Sequence, residues 1–170
     1  WALTGIIIAL LVGKYVSNKI FTLLMALTIF AGIGLMIWND LRDKKTLITE
    51  SKWVTAFVGI AGGFSTMIGN AAGPIMSIYL LGMHLPKNSF IGTKAWFFMI
   101  VNLTKVPLHI FFWKTISWES FGFDLVLLPA IIGGALLGVL IVQKIPEKAY
   151  RILIISTTVI SAIIMISKVY

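Results

Sequence analysis

Two lysines, an asparagine and a histidine interrupt an otherwise apolar stretch at residues 89–113, namely Lys94, Lys105, Asn102 and His109. At about 100° per helical residue, Lys94 and Lys105 would lie about 20° apart around a helix axis, and His109 follows Lys105 by one turn. A charged group inside a membrane span is costly, so it indicates a pathway or a binding site by default. The stripe therefore predicts a positive wall that attracts an anion. The alternative for Lys94 is that its side chain only extends to the membrane surface.

A second segment with possible chemistry covers residues 62–74 and contains five glycine or proline residues together with serine, threonine and asparagine. This composition predicts a helix break at membrane depth, where irregular backbone must face protein or water. A helix that restarts there would present free N–H groups and a partial positive charge, which suit an anion. Pro74 fits the first turn of that second helix, because its missing N–H costs nothing there. The alternative is that the glycines only allow close helix packing.

We predict substrate-binding roles for eight residues of these two segments. They are Ser65, Thr66, Gly69, Asn70, Gly73, Lys94, Asn102 and Lys105. The two residues that could couple transport to protons are His109 and Asp124. Asp124 is the only acidic residue that could lie within a span, and it could instead be a partner for either lysine or an interfacial residue.

The elements that must position these side chains are membrane-spanning helices. Hydrophobic residues make up 59% of the 170 positions, above the roughly 45–50% of soluble domains. Apolar stretches cover residues 1–13, 19–38, 53–83, 89–113, 120–142 and 147–170. A span needs about 20 residues, and no alternating pattern of a membrane barrel appears. Since lipid offers no partner for backbone groups, we predict an all-α, polytopic helical membrane protein.

Charge and motif content argue against several other functions. The net charge is +8, but the basic residues sit at the ends of apolar spans, where membrane orientation places them, so nucleic-acid binding is not expected. There is no cysteine, which excludes a disulfide framework, a thiolate metal site and a thiol nucleophile within these residues. No metal-protease, paired-carboxylate or phosphate-loop motif occurs. We therefore expect no catalytic residue, no metal and no cofactor, and the protein is not predicted to be an enzyme.

The stretch at residues 53–83 determines the predicted topology. As one helix it would be about 46 Å long, more than a span requires. A broken hairpin that returns to its starting side puts eight basic residues on the side of Arg42 and four on the other side, whereas a single crossing gives six and six. The positive-inside rule favours the hairpin, with a cytoplasmic linker at residues 39–52.

An internal repeat is predicted from an offset of 129 positions. Seven residues between positions 1 and 37 are identical to those 129 positions later, among them Gly5 and Gly134. The hairpin would give the two repeats inverted topology, a common plan of transporters. Residues 1–38 would end a first repeat and residues 53–170 would form the second. Because 50 minus 129 is −79, roughly 80 residues of the first repeat would precede residue 1.

Three segments together resemble the TauE/SafE sulfite exporter family. They are Gly-x-x-Gly-Gly-Phe-Ser-Thr-Met-Ile-Gly-Asn-Ala-Ala-Gly-Pro at 59–74, Gly-Thr-Lys-Ala-Trp-Phe-Phe at 92–98 and Asn-Leu-Thr-Lys-Val-Pro at 102–107. The resemblance covers residues 53–170, and residues 1–38 are similar to the end of the family's first half. It implies an inner-membrane protein of two related halves that moves small sulfur-containing or organic anions.

The resulting hypothesis is a secondary transporter for a small anion, sulfite or an organosulfonate in the first place, that works by alternating access. One alternative is an organic-acid (carboxylate) carrier, and another is a non-transporting membrane scaffold whose glycine and alanine motifs only pack helices. The expected partners are the anion, the lipid bilayer and the preceding segment of the same protein. The expected location is the inner (plasma) membrane, crossed several times, and the sequence predicts no oligomeric state.

Overall fold

Seven α-helices make up the part of the chain that the structure, a computed structural model, describes: residues 1–41 and 51–167. They are α1 (Ala2–Val12), α2 (Asn18–Leu41), α3 (Lys52–Gly69), α4 (Ala72–Gly82), α5 (Lys87–Phe111), α6 (Trp118–Lys144) and α7 (Glu147–Ser167), with a 3-10 turn at Gly13–Tyr15. No strand occurs in these residues, so the predicted all-α fold is confirmed. Most of the predicted linker, residues 42–50, lies outside the described residues.

Helices α3 and α4 fold back on each other. Thr55 Oγ1, near the start of α3, lies 3.0 Å from the hydroxyl oxygen of Tyr79, near the end of α4. One continuous helix would separate these residues by about 36 Å, so the chain must reverse between them. The reversal follows Gly69 at Asn70, which has the left-handed backbone angles φ 50° and ψ 31°. Asparagine tolerates this conformation better than most side chains.

The break between the two helices is shorter than predicted, because only Asn70 and Ala71 lie outside them. Gly62 and Gly63 are helical and do not open the backbone. A Cβ atom on Gly63 would collide with the carbonyl group of Ala2 in α1. For these glycines the prediction of a helix break is wrong, and close helix packing is the role that the structure gives to Gly63.

The main buried cluster joins α2, α4, α5 and α7. Its members are Phe21, Met25, Ile29, Ile75, Ile78, Leu80, Leu81, Phe90 and Ala162. Helix α1 packs along α3, and α2 packs against both α4 and α7. Residues 1–38 are therefore part of the same packed body as the hairpin, and the division of the chain into two repeats stays a prediction.

Helix α6 differs from the others because none of its 27 residues is buried. Most of its large apolar side chains are exposed, for example Val126 at 76% and Leu136 at 63%. Two of the described helical stretches are long and apolar enough to cross a membrane: α6 and Glu147–Met165 of α7. An apolar surface of this length suits contact with lipid or with another helix.

Lys87, at the start of α5, holds the C-terminal end of α6. Its Nζ atom donates hydrogen bonds to the carbonyl oxygens of Val142 at 3.0 Å and Ile145 at 2.7 Å. The last carbonyl groups of a helix lack intrahelical partners and carry a partial negative charge. We expect Lys87→Met to lower the free energy of unfolding by about 1–2 kcal/mol. Thermal unfolding in detergent checks this, and an equal effect of Lys148→Met, at an exposed lysine, would contradict it.

Candidate functional site

Oxygen atoms at the C-terminal end of α3 and on Asn70, which follows it, surround the ammonium group of Lys105, a residue that is only 7% exposed. Its Nζ atom donates to the carbonyl oxygen of Thr66 at 3.0 Å, to Thr66 Oγ1 at 2.9 Å and to Asn70 Oδ1 at 3.0 Å. An ammonium group has three donors, so two neutral residues satisfy all of them. Within residues 1–41 and 51–167 no carboxylate contacts Lys105. Its positive charge therefore has no ionic partner in this part of the chain.

The last turn of α3 positions these oxygen atoms. The Asn70 N–H donates to the carbonyl oxygen of Thr66 at 3.2 Å, and the Ala71 N–H donates to that of Ser65 at 3.3 Å. Thr66 Oγ1 lies 3.4 Å from Asn70 Oδ1. Local backbone bonding thus places the acceptors one turn apart on the same helix end. Lys105 reaches them from α5, so the site forms only when α5 packs beside the hairpin.

An open cleft of about 560 Å³ adjoins Lys105. It is lined by Thr66, Met67, Ile68, Gly69, Asn70, Asn102, Lys105, Val106, His109 and Ile116. Of the residues that the structure describes, no acidic one belongs to this lining, and Lys105 is the one lysine or arginine in it. The amide groups of Asn70 and Asn102 add neutral hydrogen-bond donors. The lining therefore favours a ligand with negative charge and several acceptor oxygens.

The positive charge of the cleft comes from a lysine and not from a helix N-terminus, which corrects the expectation from the sequence. The α3 part of the lining is the last turn of that helix, whose carbonyl groups form its negative end. Pro74 does lie in the first turn of α4, but this turn begins at the buried Ala72 and does not line the cleft. Lys105 thus has two effects: its ammonium group donates hydrogen bonds to oxygen atoms at the C-terminal end of α3, and its charge makes the cleft positive.

Lys94 does not belong to this cleft, so the predicted polar stripe divides into two places. Its Nζ atom donates to Ser77 Oγ of α4 at 2.7 Å and lies 5.9 Å from the ring centroid of Phe90. Eleven residues separate Lys94 from Lys105, a rise of about 16 Å along α5. Both lysines contact the hairpin, but Lys94 contacts α4 at Ser77 and Lys105 contacts α3 at Thr66. The two lysines therefore share a face of α5 but do not line the same cleft, and a binding role for Lys94 stays a prediction.

The other predicted binding residues are divided in the same way. The cleft contains Thr66, Gly69, Asn70 and Asn102 beside Lys105. Ser65 is buried instead, and its Oγ atom lies 2.6 Å from the Sδ atom of Met25 in α2. Gly73 accepts a hydrogen bond from Ser77 through its carbonyl oxygen, at 2.8 Å, and lies outside the lining. The structure therefore does not bring Ser65 and Gly73 to the candidate site.

The two candidates for proton coupling lie in different surroundings. His109 lines the cleft one turn after Lys105, and its Nδ1 atom is 2.7 Å from Thr115 Oγ1. Asp124 is exposed on α6, and in the described part of the chain it contacts neither predicted lysine. The predicted pairing of Asp124 with Lys94 or Lys105 is not present, and proton coupling stays a prediction for which His109 is the better placed residue.

Two residues after α5 belong to this region and were not predicted. Thr115 forms a hydrogen bond with the His109 ring, and Ile116 lines the cleft. The chain turns back here because Lys114 adopts a positive φ of 51°, and the Thr115 N–H donates to the carbonyl oxygen of His109 at 3.0 Å. A lysine in the left-handed conformation is unusual for its type. The apolar stretches that end at residue 113 and resume at residue 120 predicted a break here, but not its left-handed residue or its contact with His109.

Together, these features define a class of protein: a helical membrane protein with a broken hairpin and a candidate binding site beside it. Among residues 1–41 and 51–167 no three His, Asp or Glu side chains lie close enough to hold a metal ion. The family model described as sulfite exporter TauE/SafE matches residues 1–165, so the chain belongs to that family, and the resemblance seen in the sequence is confirmed. Members of the family are membrane transporters, and the protein is therefore not an enzyme. No curated protein and no solved structure matches the chain.

Proposed function

We propose that this chain carries a binding site of a secondary transporter for sulfite or an organosulfonate. The observation that supports this most is Lys105, a buried ammonium group in the wall of an open cleft whose partners within residues 1–41 and 51–167 are all neutral. A buried charge without an ionic partner is costly for the protein and is retained mainly where it has a function. Membership of the sulfite exporter family agrees with an anion as that function.

The bonding of Lys105 allows an anion to replace one of its present acceptors. The Asn70 side chain is exposed at the cleft, so its Oδ1 atom is the acceptor that a ligand oxygen can displace most easily. A bond between an ammonium group and an oxyanion is roughly twice as strong as one with a neutral acceptor. The displaced Asn70 amide can then donate to a second ligand oxygen. To release the anion, Lys105 must return to Asn70 Oδ1 when the cleft becomes open to the other side of the membrane, as in alternating access.

The number of donors in the cleft favours a sulfur oxyanion over a carboxylate. Lys105, Asn70 and Asn102 supply three separate donor groups to the lining. Sulfite and sulfonates offer three oxygen atoms around one sulfur, whereas a carboxylate offers two in a plane.

The proposal includes an inner-membrane location with several crossings and a cytoplasmic linker at residues 39–52.

The experiment that tests this function is anion binding to the purified full-length protein in detergent. We expect sulfite or sulfoacetate to raise the thermal unfolding midpoint and to give a calorimetric binding isotherm, with acetate as the plain carboxylate for comparison. Equal responses to all three anions would favour the organic-acid carrier. No response to any of them would overturn the proposal in favour of the scaffold.

Two single substitutions, one at the site and one away from it, test in the same experiment whether the anion binds at Lys105. Asn70→Asp would place a carboxylate about 3 Å from Lys105 Nζ and neutralise it, at almost unchanged shape. We expect anion binding to be lost while the unfolding midpoint without ligand is kept or rises. Asn88→Asp changes an exposed residue at the start of α5 and should leave binding unchanged. Full anion affinity in Asn70→Asp would contradict binding at Lys105.

A further inference from the structure

The half-buried ammonium group of Lys94 has fewer acceptors than donors in the described structure. Its Nζ atom donates to Ser77 Oγ of α4 at 2.7 Å. Among residues 1–41 and 51–167 this hydroxyl is its one hydrogen-bond acceptor, although an ammonium group has three donors. The ring of Phe90, whose centroid lies 5.9 Å from Nζ, adds a cation–π contact but no acceptor oxygen. Two donors of Lys94 are thus available to the oxygen atoms of a ligand.

A small cavity of about 170 Å³ lies at the start of α5, whereas the Lys105 cleft lies near the end of this helix. Lys87 and Arg151 bring two positive charges to the lining of the cavity, against one carboxylate, that of Glu147. Helix α5 has 25 residues and is therefore about 37 Å long, enough to cross a bilayer core of about 30 Å. The structure thus has one cavity at each end of a helix of spanning length.

Phe90 contacts both this cavity and Lys94. It lines the cavity, is 2% exposed and packs edge-on against the ring of Tyr150, at 5.9 Å between the ring centroids. The same Phe90 ring lies beside the ammonium group of Lys94. A movement of this one side chain would connect the cavity with Lys94.

The lysines of α5 form a row along one face of the helix. Lys87, Lys94 and Lys105 are separated by 7 and 11 positions, so they lie within about 20° of each other around the helix axis. Each donates to a neutral oxygen of a different helix, which is α6, α4 and α3 in turn. Lys94 therefore places a positive charge between the cavity and the cleft.

We propose that Lys94 is a second anion-binding position, which a sulfur oxyanion occupies on its way between the Lys105 cleft and the cavity at the start of α5. The proposal rests on the proposed anion transport and adds one step to it. After leaving Lys105, the anion accepts hydrogen bonds from the two available donors of Lys94 and then passes the Phe90 ring. Without Lys94 it would travel about 27 Å between Lys105 and Lys87 with no positive group of α5 beside it, at a high cost inside a membrane protein.

Sulfite transport by the full-length protein in liposomes tests this role, with calorimetric sulfite binding in detergent as the second readout. We expect Lys94→Gln to lower the maximal transport rate about tenfold or more, because a hydrogen bond from a charged group to the moving anion is lost. The dissociation constant should change by no more than about sixfold, since Lys94 and Lys105 are about 16 Å apart. Lys148→Gln removes an exposed charge and should leave both values unchanged.

Ser77→Ala distinguishes an anion-binding position from a structural contact. This variant removes the present acceptor of Lys94 but keeps the positive charge. We expect it to retain the transport rate. If Lys94 and Ser77 only hold α5 and α4 together, Ser77→Ala would lower the rate as much as Lys94→Gln does, and the proposal would be wrong.

Ser77→Asp replaces Lys94→Gln if the latter does not fold. Its carboxylate would pair with Lys94 and neutralise it, so the rate should fall in the same way. An unchanged rate in the variant used, together with weaker sulfite binding in Lys105→Gln, would overturn the second position and leave the proposed function intact. An unchanged affinity in Lys105→Gln would overturn the proposed function, and the second position with it.

Discussion

Lys105→Gln should weaken the binding of sulfite or a sulfonate by about ten- to hundredfold. A hydrogen bond to a charged group contributes about 1.5–3 kcal/mol, and every 1.4 kcal/mol is a factor of ten in affinity. Glutamine keeps a donor for the Thr66 and Asn70 oxygens that Lys105 contacts, but it removes the positive charge. The dissociation constant from calorimetry checks the expectation. The variant used must elute from size-exclusion chromatography at the same volume as the unsubstituted protein.

The control for this variant must separate anion binding from the capping of α3. Lys148→Gln removes one positive charge at an exposed position and should leave the affinity unchanged. Lys105→Arg keeps the charge and should retain more affinity than Lys105→Gln. If Lys105→Gln lowered the unfolding midpoint but left the anion affinity as it is, the role of Lys105 would be structural, and the proposed site would be wrong.

Gly63→Ala should destabilise the protein by about 1–3 kcal/mol, as overpacking in a close-packed interior does. The added Cβ would collide with the backbone carbonyl of Ala2, and no flexible side chain could move to make room for it. Helix α1 must therefore shift along its whole contact with α3. A lower midpoint of thermal unfolding in detergent is the expected result.

Gly122→Ala is the matched control for the effect of replacing a helical glycine. Gly122 lies in α6 with no atom within 4 Å of an added Cβ. Alanine in an exposed helix is usually more favourable than glycine by about 0.5–1 kcal/mol. The two variants should therefore change the midpoint in opposite directions. A stabilising effect of Gly63→Ala would show that α1 and α3 are not in close contact.

The sequence by itself determined the class of fold and the centre of the candidate site. Apolar stretches of spanning length require helices, because lipid cannot satisfy backbone groups. A lysine within such a stretch is costly anywhere except beside polar partners, so Lys105 could be selected before any contact was known. Asn70 was selected for a related reason: a polar residue among glycine and proline indicates a break, and the chain does reverse there.

Only the tertiary structure decided which of these groups meet. Lys94 and Lys105 share a face of α5, but the hairpin presents Ser77 to one and Thr66 with Asn70 to the other, about 16 Å away. Ser65 and Thr66 are adjacent in the chain, yet one side chain contacts α2 and the other the cleft.

The role of each glycine was decided in the same way. The tendency of glycine to break a helix is local, whereas Gly63 remains helical because α1 packs directly on its backbone. Periodicity gives the direction of a side chain around its own helix. Periodicity does not say which helix lies beside that side chain, or which residue of the neighbouring helix it meets. These contacts depend on how whole helices pack.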